Sequence, residues 1–183
     1  MAKKIVIILA EGFEEIEALA PADILRRLGF EVILAGLVSD KVRGSHGITV
    51  SADCLLSSVK IIETDLLMLP GGMPGSVNLR NSNDLMGLLK DASNAGKFIA
   101  AICAAPIALG RAGLIKGKKV TAYPGFEDKL EGATYTGDRI ERDGNIITAK
   151  GAGVSFEFAA EIASALGKKN EMEELCRGMF IKQ

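Results

Sequence analysis

Residues 4–37, KIVIILAEGFEEIEALAPADILRRLGFEVILAGL, carry a complete strand–helix–strand pattern. Lys4–Leu9 is a run of β-branched and aliphatic residues, too short for a helix and suited to a strand buried on both faces. Ile16, Leu19, Ala20, Ile24 and Leu28 then recur at helical spacing, which turns that stripe toward the core, and Gly29 ends the pattern. Pro21 falls inside the stripe, so a kink or a restarted helix is expected there. Glu31–Leu37 is the next strand, and a helix between two buried strands implies a parallel sheet.

The same alternation continues outward. Val42–Val50 is polar and glycine-punctuated, as a short hairpin would be. Asp65–Leu69 is a buried strand stopped by Pro70-Gly71-Gly72, and Leu85, Leu88, Leu89 and Ala92 mark a helix closed near Gly96. Lys97–Ile102 is a strand followed at once by a helix through Leu109, and Lys119–Ala122 is a short strand. Arg139–Ala149 is a hairpin with Asp143-Gly144 at its turn. Two helical stripes finish the chain: Phe158, Ala159, Ile162, Ala163, Leu166, and then Met172, Leu175, Cys176, Met179, Phe180. With no internal repeat or linker, the 183 residues are expected to form one α/β domain, a doubly wound, mostly parallel sheet with helices on both faces.

The totals narrow the function. Hydrophobic residues make up 48% of the chain, enough for a sizeable core, and the formal net charge is −1. No basic field for nucleic acid or anionic lipid is present, so small molecules or another protein are the expected partners. The three cysteines, Cys54, Cys103 and Cys176, are too few and too scattered for a disulfide framework or a zinc site. The N-terminal lysines and apolar run superficially mimic a secretion signal, but the run stops at Ala10 and meets acidic residues. No stretch approaches the roughly 20 apolar residues of a membrane span. A reducing cytoplasm is the expected setting, where a conspicuous cysteine is more often chemical than structural.

Ligands of open parallel sheets sit at the carboxyl ends of the strands. Four segments stand there: EGFEEIE (11–17), LPGGMPG (69–75), AAICAAP (100–106) and KGAGVSF (150–156). AAICAAP is the most informative. A buried strand runs into a helix with Cys103 at the junction and only small neighbours, the arrangement of a nucleophile elbow. The helix that follows should aim N–H groups and its positive end at the sulfur, favouring thiolate. Gly72, Met73 and Ala104 could then offer backbone N–H donors as an oxyanion hole. Of the carboxylates in EGFEEIE, Glu17 sits among the core-facing positions; half-buried, its pKa would rise, and it could hold or move a proton beside the thiol. His46, the sole histidine, belongs to the hairpin and reads as an exposed loop residue. Cys54 and Cys176 read as structural. The phosphate-loop pattern is absent, since GGMPG is not followed by Lys-Ser or Lys-Thr, and no metal or nucleotide cofactor is expected.

Taken together and in order, ILAEGFEEIEA, the LPGG turn, AAICAAP and KGAGVSFEFA resemble the ThiJ/PfpI superfamily over essentially the whole chain, in the branch that contains the Parkinson-disease-associated deglycase. The resemblance implies a flavodoxin-like fold, usually a homodimer, with Cys103 as a low-pKa nucleophile, Glu17 as its protonated carboxyl partner, and Gly72 and Ala104 as backbone donors. It implies cofactor-free conversion of glyoxals to hydroxy acids or repair of glycated groups. The alternatives it carries are a redox-sensing or chaperone role through oxidation of Cys103, and more distantly peptidase activity or thiazole biosynthesis. Two positions depart from the pattern. The protease branch places histidine directly after its cysteine, where this chain has Ala104, which argues against peptidase activity. Relatives of the deglycase branch often carry histidine where TAYPGF has Tyr123, a poor base at neutral pH that can still hydrogen-bond a carbonyl. His46 stands where relatives often carry an arginine that approaches the site from the dimer interface.

Overall fold

The computed structural model describes residues 2–181. Its elements run β1 (Lys4–Leu9), α1 (Glu15–Arg27), β2 (Glu31–Gly36), β3 (Lys41–Arg43), β4 (Thr49–Ser51), β5 (Cys54–Leu55), β6 (Leu66–Leu69), α2 (Gly75–Asn81), α3 (Asn83–Asn94), β7 (Phe98–Ile102), α4 (Pro106–Arg111), β8 (Lys119–Val120), β9 (Thr134–Tyr135), β10 (Ile140–Asp143), β11 (Ile146–Ala149), α5 (Ser155–Ala165) and α6 (Lys169–Gly178). Seven strands form the central sheet in the order β10-β11-β7-β6-β1-β2-β5. All neighbours pair in parallel except the β10–β11 hairpin at one edge.

Alternation along β1 explains the two-layered core. Ile5, Ile7 and Leu9 face one side with α1, α5 and α6, where Phe13, Leu25, Phe158 and Ile162 close the layer. Val6, Ile8 and Ala10 face the other side with α2, α3 and α4, where Leu79, Leu89 and Leu109 pack. A strand buried on both faces has no polar position to spare, which is why β1, β6 and β7 read as continuous apolar runs.

Four local expectations need correction. Pro21 neither breaks nor restarts α1, which runs from Glu15 to Arg27 as one element with Pro21 buried inside it. Packing against α5 and the sheet holds the helix across the missing N–H. The α1 stripe departs from the expectation at its first position: Ile16 is 53% exposed while its neighbour Glu15 is buried along with Glu17, although Ile24 and Leu28 are buried as expected. Two carboxylates find partners inside the fold, and that overrides the hydrophobic pattern. The segment 119–122 yields only the two-residue β8, which pairs in parallel with β9 outside the main sheet. The helix after Cys103 starts only at Pro106, three residues beyond the sulfur. Helix α2 had no apolar stripe to announce it. Of the described residues, no helix is long and apolar enough to cross a membrane.

Candidate active site

Cys103 follows the last residue of β7 and adopts φ +64°, a left-handed conformation that costs a side-chain-bearing residue roughly 1–2 kcal/mol. Three backbone bonds hold it there. Its N–H donates to Ala149 O at 2.8 Å, its carbonyl accepts from Tyr123 N–H at 2.8 Å, and Ala105 N–H donates back to Ile102 O at 3.0 Å. The turn so fixed presents the side chain, partly exposed, at the top of the sheet.

Glu17 reaches this turn from the first turn of α1. Glu14 caps the helix, its Oε2 accepting from Glu17 N–H at 2.7 Å, and so sets where the Glu17 side chain points. Glu17 is fully buried, and its Oε2 accepts from Gly71 N–H at 2.8 Å. Gly71 has no room for a side chain, because a Cβ would stand 2.5 Å from Glu17 Oε2 and 2.7 Å from Cys103 Cβ. Gly72, at φ +89°, lies so close to the loop after β1 that its Cβ would meet Glu14 N at 2.4 Å. The glycine pair therefore lets three chain segments converge on one sulfur.

Burial pushes the Glu17 carboxyl up to about 7, with the Glu14 charge adding to the rise; hydrogen bonds from Cys103 and Gly71 oppose it. Burial and the Glu17 carboxylate push the Cys103 thiol up to about 12, against the pull of the Ala104 and Gly72 N–H groups. Burial and the neighbouring acid therefore oppose the thiolate expected at this turn, while the Ala104 and Gly72 N–H groups favour it. The sulfur is desolvated, it faces an acid, and the short α4 begins too far away, at a proline without an N–H, to compensate. Each group is among the causes of the other's shift, so the thiol and the carboxyl titrate as a coupled pair. Glu17 Oε1 is buried without a hydrogen-bond partner of regular geometry among the described residues.

Gly72 and Ala104 are the backbone donors at the sulfur. Met73, expected as a third donor, is not among the backbone groups at the sulfur. Tyr123 borders the elbow through its backbone and lines a cavity of about 460 Å³ together with Pro124, Arg139, Lys150 and the Gly151–Val154 turn. A larger hollow of about 530 Å³, bounded by Glu11, Val38, Asn78 and Asp84, touches none of the groups around the sulfur.

His46 lies on the loop between β3 and β4, exposed, with its Nδ1 3.0 Å from Glu15 Oε2 and 3.8 Å from Glu14 Oε1. Its partner Glu15 escaped the sequence reading. That carboxylate accepts His46 N–H at 2.9 Å and Ile48 N–H at 3.3 Å, and so ties the hairpin to the start of α1. Burial alone would raise the Glu15 pKa, but the His46 ring and these N–H groups hold it below the usual carboxylate value. The same contact raises His46. Glu14, Glu15 and His46 could each offer a metal-ligand atom, all within 4.8 Å of one another, yet their internal hydrogen bonds already account for the cluster. Cys54 is partly exposed on β5 and Cys176 is buried on the core face of α6; all three cysteines are free.

Fold and site together define a flavodoxin-like α/β protein with a cysteine–carboxyl pair at a strained strand-to-helix turn. The DJ-1/PfpI family model matches residues 3–165, and the chain belongs to that family. It is 38% identical to Protein dj-1beta of Drosophila melanogaster over 99% of this chain and 98% of that one. It is 34% identical to the glutathione-independent glyoxalase DJR-1.2 of Caenorhabditis elegans over 97% and 95%. The crystal structure of Drosophila melanogaster DJ-1beta superposes with a TM-score of 0.96 at 37% identity, covering 100% of both chains. The chain spans 40% and 47% of the length of two DJ-1 homologs of Arabidopsis thaliana.

Proposed function

We propose that this protein is a cofactor-free, stress-protective enzyme of the cytoplasm that converts 2-oxoaldehydes to 2-hydroxy acids. The observation that carries this reading is the buried Glu17 carboxyl, poised at about 7, against the Cys103 thiol. As sulfur attacks the aldehyde carbon, the thiol proton passes to Glu17, and the carbonyl electron pair moves onto oxygen, facing the Gly72 and Ala104 N–H groups. Glu17 passes that proton on to the oxygen, which gives the hemithioacetal and restores the Glu17 carboxylate. Glu17 then removes the proton from the sulfur-bearing carbon and returns one to the neighbouring carbon, so that the ketone becomes an alcohol and the former aldehyde a thioester. Water cleaves the thioester, releasing the hydroxy acid and the thiol. One water enters for each aldehyde consumed, and no external oxidant or reductant is needed. The glyoxalase named among the relatives supports the same reading.

Incubation with methylglyoxal should yield lactate. Cys103→Ser and Glu17→Gln should each lower kcat/KM by at least ~100-fold, the scale of losing a nucleophile or a general base. Turnover that survives in Cys103→Ser sinks the proposal. A second reading is favoured by the two N–H donors at the sulfur, which suit the oxygens of an oxidised cysteine: a redox-sensing or chaperone role. Selective peroxide oxidation of Cys103, with no lactate formed, supports it instead. A homodimer accompanies either reading, because Ile16 and Ile48 stand exposed on the two elements that Glu15 ties together.

A further inference from the structure

The KGAGVSF segment contributes a group that the chemistry above does not use. Lys150 follows Ala149, the residue whose carbonyl receives the Cys103 N–H, and so stands immediately beside the elbow. It lines the cavity of about 460 Å³, a volume suited to a small metabolite, which adjoins the elbow through Tyr123, whose N–H donates to the Cys103 carbonyl. The aromatic ring of Tyr123 closes that cavity on one side, lying 3.4 Å from where a Cβ on Gly151 would stand. The lining holds two cations, Arg139 and Lys150, and no carboxylate. Arg139 is already neutralised, since both its Nε and Nη2 donate to the Glu157 carboxylate. Lys150 is different. Its Nζ donates to the Gly137 carbonyl at 2.8 Å, and it forms no ion pair among the described residues. One of three ammonium protons is used, and the charge is left uncompensated in a partly buried position.

We propose that Lys150 is a specificity-determining residue, and that it directs the site toward 2-oxoaldehydes that carry a carboxylate at their far end. The inference rests on the carbonyl-processing reading of the Cys103 site. The aldehyde end meets Cys103 Sγ, the chain of the substrate lies along the Tyr123 wall, and the distal carboxylate meets the free protons of Lys150 Nζ. The Gly137 carbonyl anchors the ammonium, so little side-chain freedom remains to be lost on binding.

Two near-isosteric reagents read this selectivity without any turnover. Iodoacetate and iodoacetamide both alkylate the thiol, forming an S–C bond and releasing iodide and a proton, but only the first is anionic. The ratio of their rates at Cys103 is followed by peptide mass spectrometry. In Lys150→Gln that ratio should fall about five- to tenfold, the value of one partly shielded charge contact, and Lys150→Arg should restore most of it. In the parent protein the ratio should also decline as salt rises from about 0.02 M to about 0.5 M. A ratio that ignores both salt and the loss of the lysine charge overturns the proposal. In parallel, 4,5-dioxopentanoate should show a higher kcat/KM than methylglyoxal, with the preference lost in Lys150→Gln. Absence of turnover with both aldehydes defeats the glyoxalase reading, while the alkylation ratio still decides the role of Lys150.

Discussion

A fully buried carboxyl beside a partly buried thiol is costly to ionise, and at Glu17 that cost becomes a pH dependence. Its pKa is raised from the ordinary carboxyl value of 4.5 to about 7 in the fold. The folded state therefore binds the Glu17 proton more tightly than the unfolded chain does. The stabilisation is complete below about pH 4.5 and is lost as pH rises through about 7, a difference on the order of 3 kcal/mol. Glu17→Gln should remove this slope, so that denaturant titrations at pH 5 and pH 8 differ less in the variant than in the parent. Equal slopes in both proteins would show that Glu17 titrates normally. Catalysis runs the opposite way: the carboxylate is the base, so kcat/KM should climb as pH rises through about 7. Gly71 tests the same contact sterically. Gly71→Ala places a methyl group where Glu17 Oε2 and Cys103 Cβ already stand, so methylglyoxal turnover should drop at least ~10-fold and stability by about 1–3 kcal/mol. Parent-like turnover in that variant would mean the three segments can part without harm.

The helix α1 and the β3–β4 hairpin behave as one unit because Glu15 joins them. Ser45 N–H donates to Phe13 O at 2.7 Å, and Gly12 N–H donates to Arg43 O at 2.8 Å, so the hairpin also grips the loop that leads into α1. Gly44 is pressed against the Glu15 carboxylate, where a Cβ would stand 2.3 Å from Oε1. Glu15→Ala leaves the His46 and Ile48 N–H groups without their acceptor. It should cost about 1–3 kcal/mol by denaturant titration and speed amide hydrogen exchange in residues 44–48. Unchanged exchange there would mean that the backbone bonds alone hold the hairpin. Since Glu14 bridges this unit to Glu17, loosening the hairpin should also disturb the position of the acid at the sulfur.

The sheet order explains why the four functional segments meet. From β1 the chain moves one way to β2, and the other way through β6, β7 and β11. The Glu17–Gly71 bond crosses the crevice between β1 and β6, where the direction of winding reverses. Glu17 follows β1, Gly71 and Gly72 follow β6, Cys103 follows β7 and Lys150 follows β11, four consecutive neighbours in the sheet. At the level of assembly, light scattering should give twice the 19.3 kDa mass of one chain, and Ile16→Lys should halve it. A monomeric parent protein removes the proposed dimer without touching the site, since every group named at the sulfur comes from a single chain.

Sequence alone determined the architecture, because strands buried on two faces and the helices between them leave periodicities that local residues cannot disguise. It also pointed to Cys103, since a cysteine among alanines at the end of an apolar run sits where a strand must turn sharply into a helix, and to Glu17 as its partner. The first turn of α1 was only partly legible: Ile16 looked like core, whereas it is exposed and Glu15 is buried instead, because the N–H groups that Glu15 accepts from lie some thirty residues away on the hairpin. Nor was the protonation of the pair. Whether a sulfur is a thiolate depends on how much water, how many N–H groups and which carboxylate surround it, and those distances exist only once β1, β6, β7 and β11 are side by side.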